Sequence, residues 1–369
     1  MRLKKFLMPE RIKPIAIHLP QFHPFEENDL WWGRGFTEWR NVVKSRPLFK
    51  EHYQPHLPGD LGFYDLRVSE TRHAQVEMAR RFGIHGFCYY YYWFNGKRLM
   101  HQPLEAILKD KSLDFPFMYC WANENWTKKW DGEESNILIE QKYSTADDLA
   151  HIIYLLENVF TDERYIKVDG KPFFLVYRPD LFPNIKGTLQ LWREEASKRN
   201  IELFLGYTQG FQFKEDPRVL GFDIAIDFQP NFYTKAPKIR PNKWRRLLDI
   251  ISKSESISTQ NRIIKYSDFI KFEMLQKRPE YPWAPMITPM WDNTARRKKG
   301  AFILKDSSPT LYGEWLEHIL SCVKDNSNNF LFLNAWNEWA EGNHLEPCLK
   351  WGLGYLEKTK EVLSKFDET

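Results

Sequence analysis

The chain has 369 residues, with 53 Lys and Arg against 49 Asp and Glu, a net charge of +4. So small an excess among so many charged side chains gives no basis for nucleic-acid binding, and 28% charged residues with no apolar run of about 18 residues excludes a membrane-spanning protein. Aromatic content is high, with 15 Trp, 17 Tyr and 27 Phe, and many Trp stand beside Gly, Asn and charged residues. Aromatic faces suit either a packed core or the C–H faces of sugar rings, while neighbouring Asn, Asp and Glu suit sugar hydroxyls.

The chain opens on Met1-Arg2-Leu3-Lys4-Lys5-Phe6-Leu7-Met8-Pro9, which starts like a signal peptide but carries an apolar stretch of three residues, too short for an h-region. The first predicted strand spans 14–19. A long connection, 20–66, follows; it is too rich in Trp, Phe, His and Pro for disorder, and a loop of that length is expected to be functional. Ser69 is placed to cap a helix through Phe82, with Gly83 after its end. Strands are predicted at 86–92 and 115–121. Ser144, with Asp147 three residues on, opens a helix over 145–160 in capping-box fashion. A strand at 173–177, a helix at 189–199 and strands at 203–207 and 223–228 come next.

Residues 230–280 form an insertion with 12 Lys and Arg against 5 Asp and Glu, and two helical stretches near 244–251 and 267–276. It reads as a solvated helical flap, or as a basic surface facing an anionic substrate or a membrane. A strand at 284–290, a helix at 311–323, a strand at 330–335 and a helix at 355–366 complete the chain. Eight strands alternating with helices, each strand continuously apolar rather than alternating, predict α/β architecture: one (β/α)8 barrel over 1–369 that includes the insertion. Cys88 and Cys120 lie inside apolar runs and are expected in the core; no C-x-x-C occurs, which with the missing h-region points to a cytoplasmic setting.

Functional groups of such a barrel lie at the C-terminal ends of its strands. Those ends carry His18 after the first strand, Tyr92 and Trp93 after the second, and Trp121, Asn123, Glu124 and Trp126 after the third. Tyr177 and Arg178 follow the fourth, Asp292 the seventh, and Trp336, Asn337, Glu338, Trp339 and Glu341 the eighth. Asn123, Glu124, Tyr177, Arg178, Asn337 and Asp292 are candidates for sugar hydroxyls. The tryptophans at 93, 121, 126, 336 and 339 are candidates for stacking or for packing. Glu38 and Trp39, in the first long loop, are expected to cover the site. His18 is expected in the barrel mouth, a core histidine being the alternative. No His, Cys, Asp or Glu cluster has metal-ligand spacing, so neither a metal nor another cofactor is expected.

Glu338 and Glu341 form the leading pair. On a helix, positions i and i+3 share a face about 5–6 Å apart. Retaining glycoside chemistry uses two carboxyl groups at about that separation, one protonated and one ionised, and proximity drives their pKa values apart.

Asn337-Glu338-Trp339-Ala340-Glu341-Gly342 resembles the N-E-W-x-E-G signature of glycoside hydrolase family 99, the endo-α-mannosidases. The wider chain resembles the WbsX-type proteins, family 99-like and encoded with polysaccharide biosynthesis genes. That likeness is carried by Ala16-Ile17-His18-Leu19-Pro20-Gln21-Phe22-His23-Pro24, Gly35-Phe36-Thr37-Glu38-Trp39, Phe87-Cys88-Tyr89-Tyr90-Tyr91-Tyr92-Trp93-Phe94, Trp121-Ala122-Asn123-Glu124-Asn125-Trp126 and Trp291-Asp292-Asn293-Thr294. The resemblance implies a (β/α)8 barrel and retaining cleavage of an α-linked, mannose-like glycan. Glu338 would deprotonate the sugar's own 2-hydroxyl to give a 1,2-anhydro intermediate, and Glu341 would act as acid and then base. Family 99 usually has His where this chain has Ala340, so the substrate is expected to differ. Two other readings stand: a glycosyltransferase of polysaccharide biosynthesis, against which the chain lacks D-x-D and a Gly-rich phosphate loop, and a glycan-binding barrel without activity. The expected partner is a carbohydrate; the oligomeric state is open.

Overall fold

The computed structural model describes residues 11–127, 137–240, 257–297, 299–323 and 329–367. Eight parallel strands close into a barrel: β1 (Lys13–His18), β2 (Gly86–Phe94), β3 (Phe117–Trp121), β4 (Lys171–Val176), β5 (Phe204–Gln209), β6 (Ile224–Asp227), β7 (Trp283–Ile287) and β8 (Phe330–Leu333). Each pairs with its sequence neighbour, and β1 closes the ring by pairing with both β2 and β8: Ala16 lies opposite Phe87 on one side and Leu333 on the other. Nearly every strand residue is buried, because helices cover the outer face while side chains fill the inside. The interior is filled across its width. Phe173 on β4 reaches Phe330 and Phe332 on the facing β8, with ring centroids 5.4 and 6.3 Å apart. Gly206 on β5 makes room for this, since a Cβ there would lie 2.6 Å from Leu175 and 3.0 Å from Phe173.

A helix follows every strand: α1 (Ser69–Arg81), α2 (His101–Lys109), α3 (Thr145–Asn158), α4 (Ile185–Ser197), the single turn α5 (Pro217–Leu220), α6 (Tyr266–Met274), α7 (Pro309–Val323) and α8 (Gly354–Asp367). Ser144 caps α3 as expected, its hydroxyl accepting from the Asp147 amide at 3.2 Å. Ser69 does not cap α1. It is the first helical residue, Val68 precedes it, and its hydroxyl faces Asp110 and His73 instead. Helix α4 begins four residues earlier than expected because Asn184 accepts from the Gly187 amide and caps it. Cys88 and Cys120 are buried in the barrel wall.

The two insertions sit at the C-terminal end of the strands. The first contributes helices Glu26–Trp32 and Trp39–Lys44, held by ring contacts among Phe22, Trp39 and Tyr64. In the second, the expected helix at 267–276 is α6, while the stretch at 244–251 lies outside the described residues. The insertion also holds a strand, Arg262–Lys265, that no apolar run marked, because only Ile263 and Ile264 stand between its charged ends. It pairs in parallel with Phe302–Lys305, which pairs antiparallel with Trp291–Asp292, making a small sheet at the barrel mouth. No helix among the described residues is long and apolar enough to cross a membrane.

Candidate active site

Beyond β8 the chain does not continue as a helix. Asn337–Glu338 pairs antiparallel with Asn343–His344, and a single 3-10 turn, Trp339–Glu341, joins them. The premise of two glutamates on one α-helical face is therefore corrected: they meet across a tight hairpin. Gly342 closes that hairpin at φ +54, where a Cβ would lie 2.9 Å from the Asp292 carbonyl oxygen. Gly342→Ala thus combines a left-handed backbone with a backbone clash. It is expected to cost about 2–4 kcal/mol, read as a lowered midpoint in urea unfolding.

Both glutamates line a cavity of about 680 Å³ at the strand ends. They share one partner, Arg296, which lies just past the turn Asn293–Ala295. Its Nη2 donates to Glu338 at 3.1 Å and its Nη1 pairs with Glu341 at 2.6 Å. From behind, Glu38 accepts from the same guanidinium, through Nη2 at 2.9 Å and Nε at 3.3 Å. Three carboxyl groups thus face one cation. Burial raises all three above the usual carboxylate range, Arg296 opposes the rise, and for Glu338 the neighbouring Glu341 and Glu38 add to it. Glu338, the more buried of the cavity pair, is pushed up to about 8. Arg296, with Arg297 acting on Glu341 as well, does not offset the burial of three carboxyl groups, and Glu338 stays protonated at neutral pH.

The rest of the cavity comes from the ends of β2 to β7. Tyr90 and Tyr92 enter from β2, Glu124 and Trp126 from beyond β3, and Tyr177 and Arg178 from beyond β4. Phe211, Phe228, Phe232 and Trp291 form an aromatic side. Arg178 pairs with Glu124 and Asp180 and lies 4.7 Å above the Phe211 ring.

The structure keeps several expected contact residues out of the cavity. His18 turns outward to Gln75 on α1 at 3.3 Å and packs on Phe87 and Tyr89; burial holds it neutral, its pKa lowered to about 3. Trp93 also points outward, donating to Asp147 at 3.0 Å and stacking on His151, because side chains alternate along β2 and Tyr92 takes the inward place. Trp121 donates to the Trp93 carbonyl and packs against His151 and Trp192. Trp336 packs on Phe87, and Trp339 stacks on His344 with centroids 3.8 Å apart. Trp39 donates to the Tyr64 carbonyl and packs against Trp339, so neither it nor Glu38 forms a lid.

Asn123, Asn337 and Asp292 stand one layer behind. Asn123 donates to the Arg178 carbonyl at 2.7 Å and accepts from its amide at 2.7 Å, tying β3 to β4. Asn337 does the same with Leu19, tying the hairpin to β1. Asp292 accepts from the amide and hydroxyl of Thr294, fixing the turn that leads to Arg296. The other Asp292 oxygen meets His52, whose Nδ1 accepts from the Leu48 amide; the Nε2 proton therefore points at Asp292.

Sequence reasoning missed Arg296, Tyr90, the phenylalanines at 211, 228 and 232, and Glu346. Tyr90 was available by counting two residues back from Tyr92. Glu346 is fully buried under the hairpin, accepting from Tyr64 at 2.8 Å, Gln75 at 2.7 Å and Trp339 at 2.7 Å; burial raises it to about 7. Nothing local marks it or Arg296. Among the described residues, no group of three or more His, Cys, Asp or Glu is placed to hold a metal ion.

Residues 14–359 match the family described as Glycosyltransferase WbsX. The uncharacterized protein WxcX of Xanthomonas campestris pv. campestris, in strains ATCC 33913 and B100, is 39% identical over 365 residues, which is 95% of this chain and 49% of that protein. The chain thus spans about half the length of the curated relatives it matches. Among solved structures, a glycoside hydrolase-like protein aligns with a TM-score of 0.59 at 12% identity, over 98% of this chain and 97% of that one. A GH99 endo-alpha-mannosidase from Bacteroides thetaiotaomicron, in complex with bis-tris-propane, aligns with a TM-score of 0.59 at 13% identity, over 96% and 97%. The chain shares the (β/α)8 barrel fold of these structures.

Proposed function

The chain belongs to the Glycosyltransferase WbsX family, and from that premise we propose that it is a retaining glycoside hydrolase acting on an α-linked, mannose-like bacterial glycan. One observation carries the reading: Glu338 and Glu341 open into one cavity and are bridged by a single guanidinium, so that the pair retains a proton. Acid-assisted cleavage needs one proton on the pair. The upward shift is greatest at Glu338, so the proposed reaction requires that proton to stand on Glu341 once the sugar's 2-hydroxyl meets Glu338.

In the proposed reaction Glu338 takes the proton of the sugar's 2-hydroxyl, and that oxygen attacks C1. The glycosidic C–O bond breaks, and Glu341 delivers its proton to the leaving oxygen. Glu341 then takes a proton from water, whose oxygen opens the 1,2-anhydro ring at C1, and Glu338 returns the proton to O2. Two inversions give retention.

The mechanism requires Glu338 ionised and Glu341 protonated, so the rate of kcat/KM against pH should be bell-shaped. Burial raises both groups, which places the acid limb above the ordinary glutamate value of 4.5. Below it both are protonated and no base remains. The alkaline limb lies where the last proton leaves the pair and no acid remains, and burial of both groups moves it up from the ordinary glutamate range. A profile flat from pH 5 to 9 would contradict the assignment.

A transferase reading is favoured by the family's description and by Arg178, Arg262, Arg296 and Arg297 on the cavity wall, which could meet a diphosphate. Product analysis separates the two. Incubation with α-linked bacterial polysaccharides should release reducing ends whose first-formed anomer, followed by NMR, has the substrate's configuration. A nucleotide sugar should raise neither the melting temperature nor product formation. Transfer from a nucleotide sugar without hydrolysis would sink the proposal.

A further inference from the structure

Three arginines of the cavity wall differ in what neutralises them. Arg178 pairs with Glu124 and Asp180, and Arg296 with three glutamates. Arg262, from the second insertion, pairs with no carboxylate among the described residues. Its Nη1 and Nη2 donate to the carbonyls of Phe232 and Thr234, its guanidinium lies 5.1 Å over the Phe302 ring, and its Nε is buried without a partner. Burial also lowers its pKa, as expected for a cation without a counter-charge.

Holding a guanidinium partly out of water with only carbonyl dipoles for company is costly, and an anion in the cavity would offset that cost. The group is also preorganised: two carbonyls and a ring face fix its plane, so little freedom is lost when an oxyanion binds. Phe232, Tyr233 and Arg297 line the same cavity. Arg262 lines the same cavity as Glu338 and Glu341 but enters it from the second insertion, whereas the two glutamates enter from the hairpin after β8.

We propose that Arg262 and the wall around it form a subsite for an anionic substituent, the carboxylate of a uronic acid or a phosphomonoester, on a sugar next to the one cleaved. The substrate is then an acidic glycan. The basic insertion, readable from sequence only as a flap or an anion-facing surface, supplies the selectivity. That the glycan is cut rests on the hydrolase reading; that it is bound does not.

The test uses the wild-type chain and S-linked α-mannotriose, which cannot be hydrolysed, together with its glucuronate-terminated and phosphorylated counterparts, titrated by calorimetry. At least one acidic probe should bind tenfold or more tighter than the neutral one, and which does so distinguishes carboxylate from phosphate. Arg262→Gln should erase the difference between acidic and neutral probes. Arg262→Lys should restore part of it, since an ammonium keeps the charge without the fork geometry. Absence of a tenfold preference for either acidic probe, including absence of any binding, overturns the proposal, as does a preference that survives Arg262→Gln. If that variant fails to fold, the wild-type comparison of charged and neutral probes still decides. Cleavage is scored separately with O-linked probes. An acidic glycan bound through Arg262 but never cut removes the hydrolase reading and leaves the subsite; a neutral glycan cut with no acidic preference does the reverse.

Discussion

Glu341→Gln is expected to lower kcat/KM for an unactivated glycan by about 10³-fold or more, the range that a positioned proton donor supplies. The amide keeps the size of the side chain and can still meet Arg296 through its oxygen, so folding and ground-state binding should persist. The assay that isolates the proton transfer compares leaving groups. With an activated aryl leaving group, which departs without protonation, the first step should recover most of its rate in Glu341→Gln. Glu338→Gln should stay slow with both, because the 2-hydroxyl still lacks its base. Equal losses with both leaving groups for Glu341→Gln would remove it as the acid.

Arg296→Met should have the largest effect on the scaffold. It keeps much of the apolar stem but takes the shared guanidinium away from Glu38, Glu338 and Glu341. Breaking a buried ion pair from one side costs about 3–5 kcal/mol, because the partners remain buried without compensation. Here they can escape by taking up protons, so the cost should depend on pH. All three pKa values, already above the unfolded value, should rise further. A carboxyl whose folded pKa exceeds its unfolded one binds the proton more tightly in the native state. Its contribution is full below the unfolded value and is lost as pH rises toward the folded one. Urea unfolding of Arg296→Met should therefore show a modest deficit at pH 5 and a large one at pH 8. A deficit independent of pH would mean that the guanidinium packs rather than neutralises. Residual activity should peak at higher pH than in the wild type, since the pair then keeps its last proton longer.

The long-range character of this cluster explains which parts of the site could be read in advance. Arg296 is 42 residues before Glu338 and 258 after Glu38. No local pattern encodes that meeting; it arises because the turn after β7, the hairpin after β8 and the first long loop all end at one mouth. The hairpin itself was misread for a related reason. E-x-x-E suits a helix and a 3-10 turn equally, and only the antiparallel pairing of Asn337–Glu338 with Asn343–His344 chooses between them.

The order and hydrophobicity of the eight strands, most helix positions and the concentration of polar and aromatic groups at strand ends were set by the sequence alone. These are local properties: continuous apolar runs, caps such as Ser144, and chemistry placed directly after each run. Which faces of those groups meet the cavity was decided by tertiary structure. On strands buried on both sides, inward and outward residues are equally apolar, so Tyr92 and Trp93 look alike until closure of the barrel sends one to the mouth and the other to α3. The same closure turned Asn123, Asn337 and Asp292 into ties behind the wall and brought forward Arg262 and Arg296, whose roles depend on partners far along the chain.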